Sequence, residues 1–235
     1  MINPSASLPG RVLVTGGASG LGAAVVEGLR TAGGTPIILD RNIDNVRQGV
    51  AAVEVDVADT GAVADAVDRV AQDLGGLDAV VTAAGIDRCG NLDEVAAQEW
   101  EFVIAVNLIG TAAVIRAALP YLKESRGRAI TVASSLGLRA LPAATAYCAS
   151  KFGVVGFSRA LAAETRGQIG VTTLIPSGMR TRFFDDRDEQ FKPGDDSKLN
   201  DPGNVADAVL FALAQPKFCE VRELVICHEE EDSWP

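Results

Sequence analysis

Arg11-Val12-Leu13-Val14-Thr15-Gly16-Gly17-Ala18-Ser19-Gly20-Leu21-Gly22 decides how the rest of the chain is read. After Arg11, Val12 to Thr15 are aliphatic or β-branched, and the five form a short strand-like run. The glycines then break the pattern before a helical run from about Leu21 to Ala32. Gly16 permits a tight turn, Gly20 lets backbone approach a pyrophosphate, and Gly22 lets helix and strand pack closely. With Ser19 and Leu21 they place the free N–H groups of a helix N-terminus where phosphates can sit. A glycine-rich turn alone is common; the strand-turn-helix setting is what makes this one a candidate dinucleotide cradle.

Working outward, strand-like runs alternate with helical ones to the end of the chain. They are Arg11 to Thr15, Thr35 to Leu39, Ala51 to Val57, Leu77 to Thr82, Arg128 to Ser134, Val171 to Ile175 and Glu220 to Ile226. Between the third and fourth, Val63, Ala66, Val67, Val70 and Leu74 recur at helical spacing. Such alternation predicts an α/β fold, a parallel sheet with helices on both faces. No repeat or linker divides residues 1–235, so one domain is expected. Asp40 stands directly after the second strand-like run, 18 residues beyond Gly22. A carboxylate there accepts hydrogen bonds from both hydroxyls of an adenosine ribose and repels a 2'-phosphate, which predicts NAD over NADP. The neighbouring Arg41 is the feature that would tolerate the phosphate.

Composition narrows the function classes. The net charge is −10, with acidic residues gathered at Asp185 to Glu189, Asp195-Asp196 and Glu229 to Asp232, so a nucleic-acid partner is not expected. The four cysteines, Cys89, Cys148, Cys219 and Cys227, show no metal-ligand spacing, and the one histidine, His228, lies in the acidic tail. Neither a metal site nor a Ser-His-Asp hydrolase fits that inventory. Apolar runs are broken by charge or glycine before reaching about 20 residues, so no membrane segment is expected. Met1-Ile2-Asn3-Pro4-Ser5 has neither a basic nor an apolar leader region, which makes the cytoplasm the expected location. From Leu108 through Leu119 the single charge is Arg116, and from Phe152 through Ala163 it is Arg159. Helices that apolar need covering on both sides, which predicts self-association as a homodimer or homotetramer.

The chemistry-bearing residues lie in the second half. Tyr147 and Lys151 are four apart in Ala146-Tyr147-Cys148-Ala149-Ser150-Lys151-Phe152, and Ser134 lies thirteen positions before the tyrosine. On a helix, positions i and i+4 share a face, so the ammonium is expected beside the phenol, lowering its pKa from a free value near 10 toward that of a useful base.

The glycine turn at 15–22, Asp56-Val57, Ala83-Ala84-Gly85, Asn107, Ser134, Tyr147-x-x-x-Lys151 and Pro176 through Thr181 occur in one order along nearly the whole chain. In that order and spacing the chain resembles the short-chain dehydrogenase/reductase family. The resemblance implies a Rossmann-type, doubly wound parallel sheet of about seven strands in a three-layer α/β/α arrangement. It implies that Asp56 and Val57 contact the adenine and that Ala83, Ala84 and Gly85 pass beneath the adenine-side ribose. Pro176, Gly178 and Thr181 would lie along the cofactor, with Thr181 reaching the nicotinamide carboxamide. The family's Asn-Asn-Ala-Gly is Thr82-Ala83-Ala84-Gly85 here, and its Pro-Gly is Pro176-Ser177.

By the same resemblance, hydride passes between C4 of a nicotinamide and a carbon bearing oxygen. Tyr147 serves as general acid or base, Lys151 lowers its pKa and grips the ribose, and Ser134 hydrogen-bonds the substrate oxygen. Asn107 interrupts its helix to hold a water connected to Lys151. The small-molecule substrate is expected to be a secondary alcohol or ketone, beneath a covering segment at about residues 182–202 carrying Phe183, Phe184 and Phe191. Leu136, Leu141 and Cys89 would make that pocket weakly polar. A 3-oxoacyl carrier-protein reductase using NADPH is the alternative, with Arg126 and Arg128 as a docking patch. A non-catalytic NAD(H)-binding regulatory protein is the other.

Overall fold

The computed structural model of the protein describes residues 10–231; residues 1–5, read above for a leader, and Asp232 of the acidic tail lie outside the described residues. Seven strands form one sheet: β1 (Arg11–Thr15), β2 (Thr35–Asp40), β3 (Ala51–Glu54), β4 (Ala79–Thr82), β5 (Arg128–Val132), β6 (Gly170–Pro176) and β7 (Glu223–Ile226). All adjacent pairs are parallel, in the order β3-β2-β1-β4-β5-β6-β7. The helices are α1 (Gly20–Thr31), α2 (Thr60–Leu74), α3 (Ala97–Ile104), α4 (Thr111–Ser125), α5 (Thr145–Glu164) and α6 (Pro202–Leu213). This is the expected doubly wound α/β/α architecture.

Side-chain alternation along β1 shows how the three layers are held. Val12 and Val14 face a core built with Val25 and Leu29 of α1 and Val209 of α6. Leu13 points the other way, into a core with Val67 of α2, Val114 of α4 and Leu161 of α5. Successive residues of a strand point to opposite faces, and both faces are covered, so the strand reads as an unbroken apolar run. The chain leaves β1 toward β2 on one side and returns to β4 on the other. At such a switch in strand order a crevice opens beyond the carboxyl ends of the strands.

Four strands are shorter than the apolar runs suggest, β4 beginning at Ala79 rather than Leu77. Val55 N–H still bonds the Asp40 carbonyl (2.9 Å), after which the Asp56 carboxylate accepts from Ala58 N–H (2.9 Å) and turns the chain away. Asp56 and Val57 therefore lie in the loop after β3 rather than at its end. Ser134 lies beyond β5, capping a 3₁₀ turn at Ser135–Gly137 by accepting from Leu136 N–H at 3.1 Å. β7 begins at Glu223 rather than Glu220.

The helical region also departs from expectation. α3, a π-helical segment at Ala105–Gly110 and α4 run together as Ala97–Ser125, 29 residues with a mean hydropathy of 2.0 over its most apolar 18. By length and composition this helix is apolar enough to cross a membrane, whereas counting uninterrupted apolar runs had made it too short. Its apolar content has a local cause: Val103, Val106, Val114, Ile115 and Ala118 are buried in the fold.

Candidate active site

A cleft of about 1100 Å³ lies at the carboxyl end of the sheet, where the strand order reverses. At its floor two glycines are required by sterics. Gly16 has φ +66°, and a Cβ there would come within 2.8 Å of the Ala84 backbone. A Cβ on Gly22 would overlap the Gly16 carbonyl oxygen. β1, α1 and the segment Ala83-Ala84-Gly85 after β4 can therefore approach this closely only without side chains at those positions. Ser19 precedes α1 in extended conformation and makes no side-chain cap. Asp40 braces the turn by accepting from Ala18 N–H at 3.0 Å. Thr181 stands opposite, its methyl 3.6 Å from where a Cβ on Gly20 would lie. An uncapped helix N-terminus over a side-chain-free floor, with a carboxylate at one end, fits a dinucleotide.

The structure brings to this cleft every residue expected to contact the cofactor, from Gly16 to Thr181, together with Ser134, Tyr147 and Lys151. Asn107 is the exception. It is fully buried in the π-helical segment that interrupts the helix there, and it does not itself line the cleft. Its Oδ1 accepts from Ile86 N–H (2.8 Å), and its Nδ2 donates to the Ile86 carbonyl (2.8 Å) and to Ser150 Oγ (3.0 Å). Ser150 Oγ donates in turn to the Tyr147 carbonyl at 2.8 Å. Asn107 thus ties the loop after β4 to the turn of α5 that carries the tyrosine. Ser150, fully buried, is a member that sequence reasoning missed; its place between Tyr147 and Lys151 was the available signal.

Tyr147 and Lys151 share a face of α5 as expected, with Nζ 5.5 Å from the centre of the phenol ring. Their electrostatics differ from expectation. Burial pushes Tyr147 up to about 12, with a hydrogen bond to Ser134 opposing the shift. Burial also pushes Lys151 down to about 8, opposed by Asp87. Nζ donates to the Val132 carbonyl at 2.9 Å. Desolvation disfavours the charged form of both groups and outweighs their i,i+4 proximity.

The substrate side is more polar than Leu136, Leu141 and Cys89 suggest. Arg187 Nη2 pairs with Asp87 Oδ2 at 2.8 Å, joining the segment after β6 to the loop after β4, with 3% of the Asp87 side chain exposed. The Arg187 guanidinium also lies over the rings of Phe183 (5.2 Å) and Phe184 (4.6 Å), and Phe183 packs against Tyr147 with centroids 5.8 Å apart. Arg182, Phe183, Phe184, Asp186, Arg187, Asp188, Phe191 and Lys192 thus line the cleft. Where Thr82 replaces the family's asparagine, its buried hydroxyl has no hydrogen-bond partner among the described residues. Arg126 lies over Phe218, and Arg128 donates to the carbonyls of Gln215, Pro216 and Cys219. Arg128 is engaged within the fold instead of forming a docking patch.

Comparison with known proteins places these features in a group. A family profile described as short chain dehydrogenase matches residues 11–192. D-threitol dehydrogenase of Mycolicibacterium smegmatis is 38% identical over 189 residues, covering 75% of this chain and 73% of that protein. An uncharacterized oxidoreductase of Staphylococcus aureus is 32% identical over 224 residues, covering 91% of this chain and 95% of its own. Among solved structures, the alcohol dehydrogenase of Thermococcus sibiricus complexed with 5-hydroxy-NADP superposes with TM-score 0.84. It shares 26% identity, with 94% of this chain and 97% of that one covered.

The buried amine gives a pH prediction. A lysine in the unfolded chain ionises near 10.5, and Lys151 in the fold near 8. Between those values the unfolded chain holds a proton that the native protein has released, so stability rises with pH; below about 8 the burial penalty is fully present. Lys151→Met should therefore raise Tm relative to wild type at pH 7, in cofactor-free protein, with the difference shrinking toward pH 10. A difference that stays constant across that range contradicts the shift.

Proposed function

The chain belongs to the short-chain dehydrogenase family, and on that premise we propose that it interconverts a secondary alcohol and a ketone with Tyr147 as the general acid or base. It is an oxidoreductase acting on CH–OH groups with a nicotinamide dinucleotide. The observation that carries the finer reading is the meeting of Ser134, Tyr147 and Lys151 at the mouth of the dinucleotide-shaped cleft, beneath Phe183.

When bound, the cofactor supplies the hydride acceptor or donor at C4 of its nicotinamide ring. In oxidation Tyr147 takes the proton of the substrate hydroxyl as hydride leaves the carbinol carbon; in reduction it returns that proton. Ser134, already hydrogen-bonded to Tyr147, orients the substrate oxygen toward the phenol. Lys151 holds the ribose and supplies positive charge near the phenol, which burial otherwise keeps protonated. Asn107 acts as a positioning residue through Ser150 and the Gly85-Ile86 loop, beside the water-holding role toward Lys151 that the resemblance implies. Phe183 and its neighbours exclude water from the reacting atoms.

Asp40 lines the adenosine end of the cleft and supports NAD over NADP, although the Thermococcus relative is described with an NADP derivative. Substrates named for the relatives, an alcohol and D-threitol, share a hydroxylated carbon, and that common feature is adopted here. Ile109 and Phe152 are about half exposed on the two apolar helices and support a homo-oligomer built through that face.

Tyr147→Phe should lower kcat by about 10² to 10⁴ while leaving NADH affinity within a few-fold, measured by steady-state rates and fluorescence titration. Retention of more than about a tenth of wild-type turnover defeats the acid-base role. In kcat/KM, NAD should exceed NADP, and Asp40→Ser should narrow the gap; a wild-type preference for NADP refutes the assignment of Asp40. Size-exclusion chromatography at micromolar concentration should give a mass of at least twice the 24.4 kDa chain, and a monomer removes the self-association reading.

A further inference from the structure

The charged pair in the substrate half of the cleft is unexplained by the reaction itself. Asp87 and Arg187 are 100 positions apart, and both line the cleft. One phenyl ring, that of Phe183, lies between the guanidinium and the ring of Tyr147. An ion pair this close to the reacting centre gives the pocket a polarity that an alkyl substrate would not need.

The hydrogen-bond inventory of the pair is incomplete in a particular way. Arg187 Nη2 donates to Asp87 Oδ2 (2.8 Å) and Nη1 to the Phe191 carbonyl (3.3 Å), while Nε is buried with no partner among the described residues. Asp87 accepts also from Arg88 N–H (2.7 Å) and Cys89 Sγ (3.3 Å). A carboxylate has about four lone-pair sites, so one remains beyond these three. One guanidinium nitrogen, Nε, and about one acceptor site of Asp87 are therefore left without a partner among the described residues. A hydroxyl group satisfies both, since it accepts and donates through one oxygen. A carboxylate would meet Asp87 and, at the same cleft, Asp186 and Asp188. An alkyl chain would leave the guanidinium N–H desolvated and unpaired, which is costly.

We propose that the Asp87–Arg187 pair binds a second hydroxyl of the substrate and so selects a neutral polyhydroxylated alcohol over a simple secondary one. This rests on the alcohol–ketone reading of the same cleft. Phe183 covers the reacting carbon while the ion pair holds the remainder of the carbon chain by its hydroxyl.

The test is kcat/KM for the stereoisomeric tetritols against 2-butanol with the oxidised cofactor, in wild type, Asp87→Asn and Arg187→Met. Saturation-transfer NMR of the tetritols with NADH-loaded protein is run in parallel. Sites built to hydrogen-bond a hydroxyl discriminate strongly against analogues that lack it. We expect wild type to favour at least one tetritol by about 10², and each variant to narrow that ratio about ten-fold or more, chiefly through KM. NADH binding reports that each variant has folded, and Arg187→Met, in the covering segment, serves if Asp87→Asn has not. Turnover of 2-butanol without tetritol preference, or variants that slow both substrates equally, overturns the inference and leaves the alcohol–ketone reading standing. If wild type oxidises neither, that reading fails. Tetritol binding lost in Asp87→Asn then still upholds recognition by the pair, and absence of binding overturns it.

Discussion

Removal of Tyr147 and Lys151 from water is the constraint around which the carboxyl edge of the sheet is arranged. Burial shifts the amine to about 8 and the phenol to about 12, disfavouring the charged form of each. Keeping them there requires that their polar atoms be satisfied by fixed partners, since unpaired buried groups are costly. The Val132 carbonyl and Ser134 are those partners, and both belong to the stretch where β5 ends and the chain turns. The turn after β5 and the first turns of α5 are therefore one unit.

The second requirement is backbone proximity. Gly16 and Gly22 let the end of β1, the start of α1 and the Ala83-Ala84-Gly85 segment after β4 come together without intervening side chains. The same closeness leaves helix N–H groups facing the cleft with no side-chain cap. Asn107 extends this rigidity across the sheet by bonding the loop after β4 and Ser150 at once. The cofactor end and the tyrosine end of the cleft are thus linked by backbone contact and by one buried amide, within elements packed on both faces of the sheet.

The covering segment is held differently. It is held by tilted and edge-on rings, by the Arg187 guanidinium over two of them and by one largely buried ion pair, with no strand or long helix of its own. A polar anchor of that kind places a charge pair where aromatic residues alone would have made an oily pocket. It also couples the segment to the loop beside the central strand, so both walls of the substrate space are set by a single contact.

Periodicity and glycine spacing determined the fold in advance. Alternating runs required a parallel sheet covered on both faces, and each glycine or carboxylate expected along the cofactor lies in the cleft. Those features are local: a turn, a strand end or an i,i+4 pair is encoded within a few residues. Strand ends were less legible, because the carboxylate of Asp56 and the cap at Ser134 redirect the chain through side-chain bonds that propensity does not register. Three things only the tertiary structure decided. The ionisation of Tyr147 and Lys151 is set by how much protein surrounds them, which the spacing of two residues on a helix does not contain. Asn107 is fixed by Ile86 and Ser150, partners 21 and 43 residues distant in the chain. Asp87 meets Arg187 across 100 residues of chain, a contact that exists only once the sheet has brought the ends of β4 and β6 to the same edge.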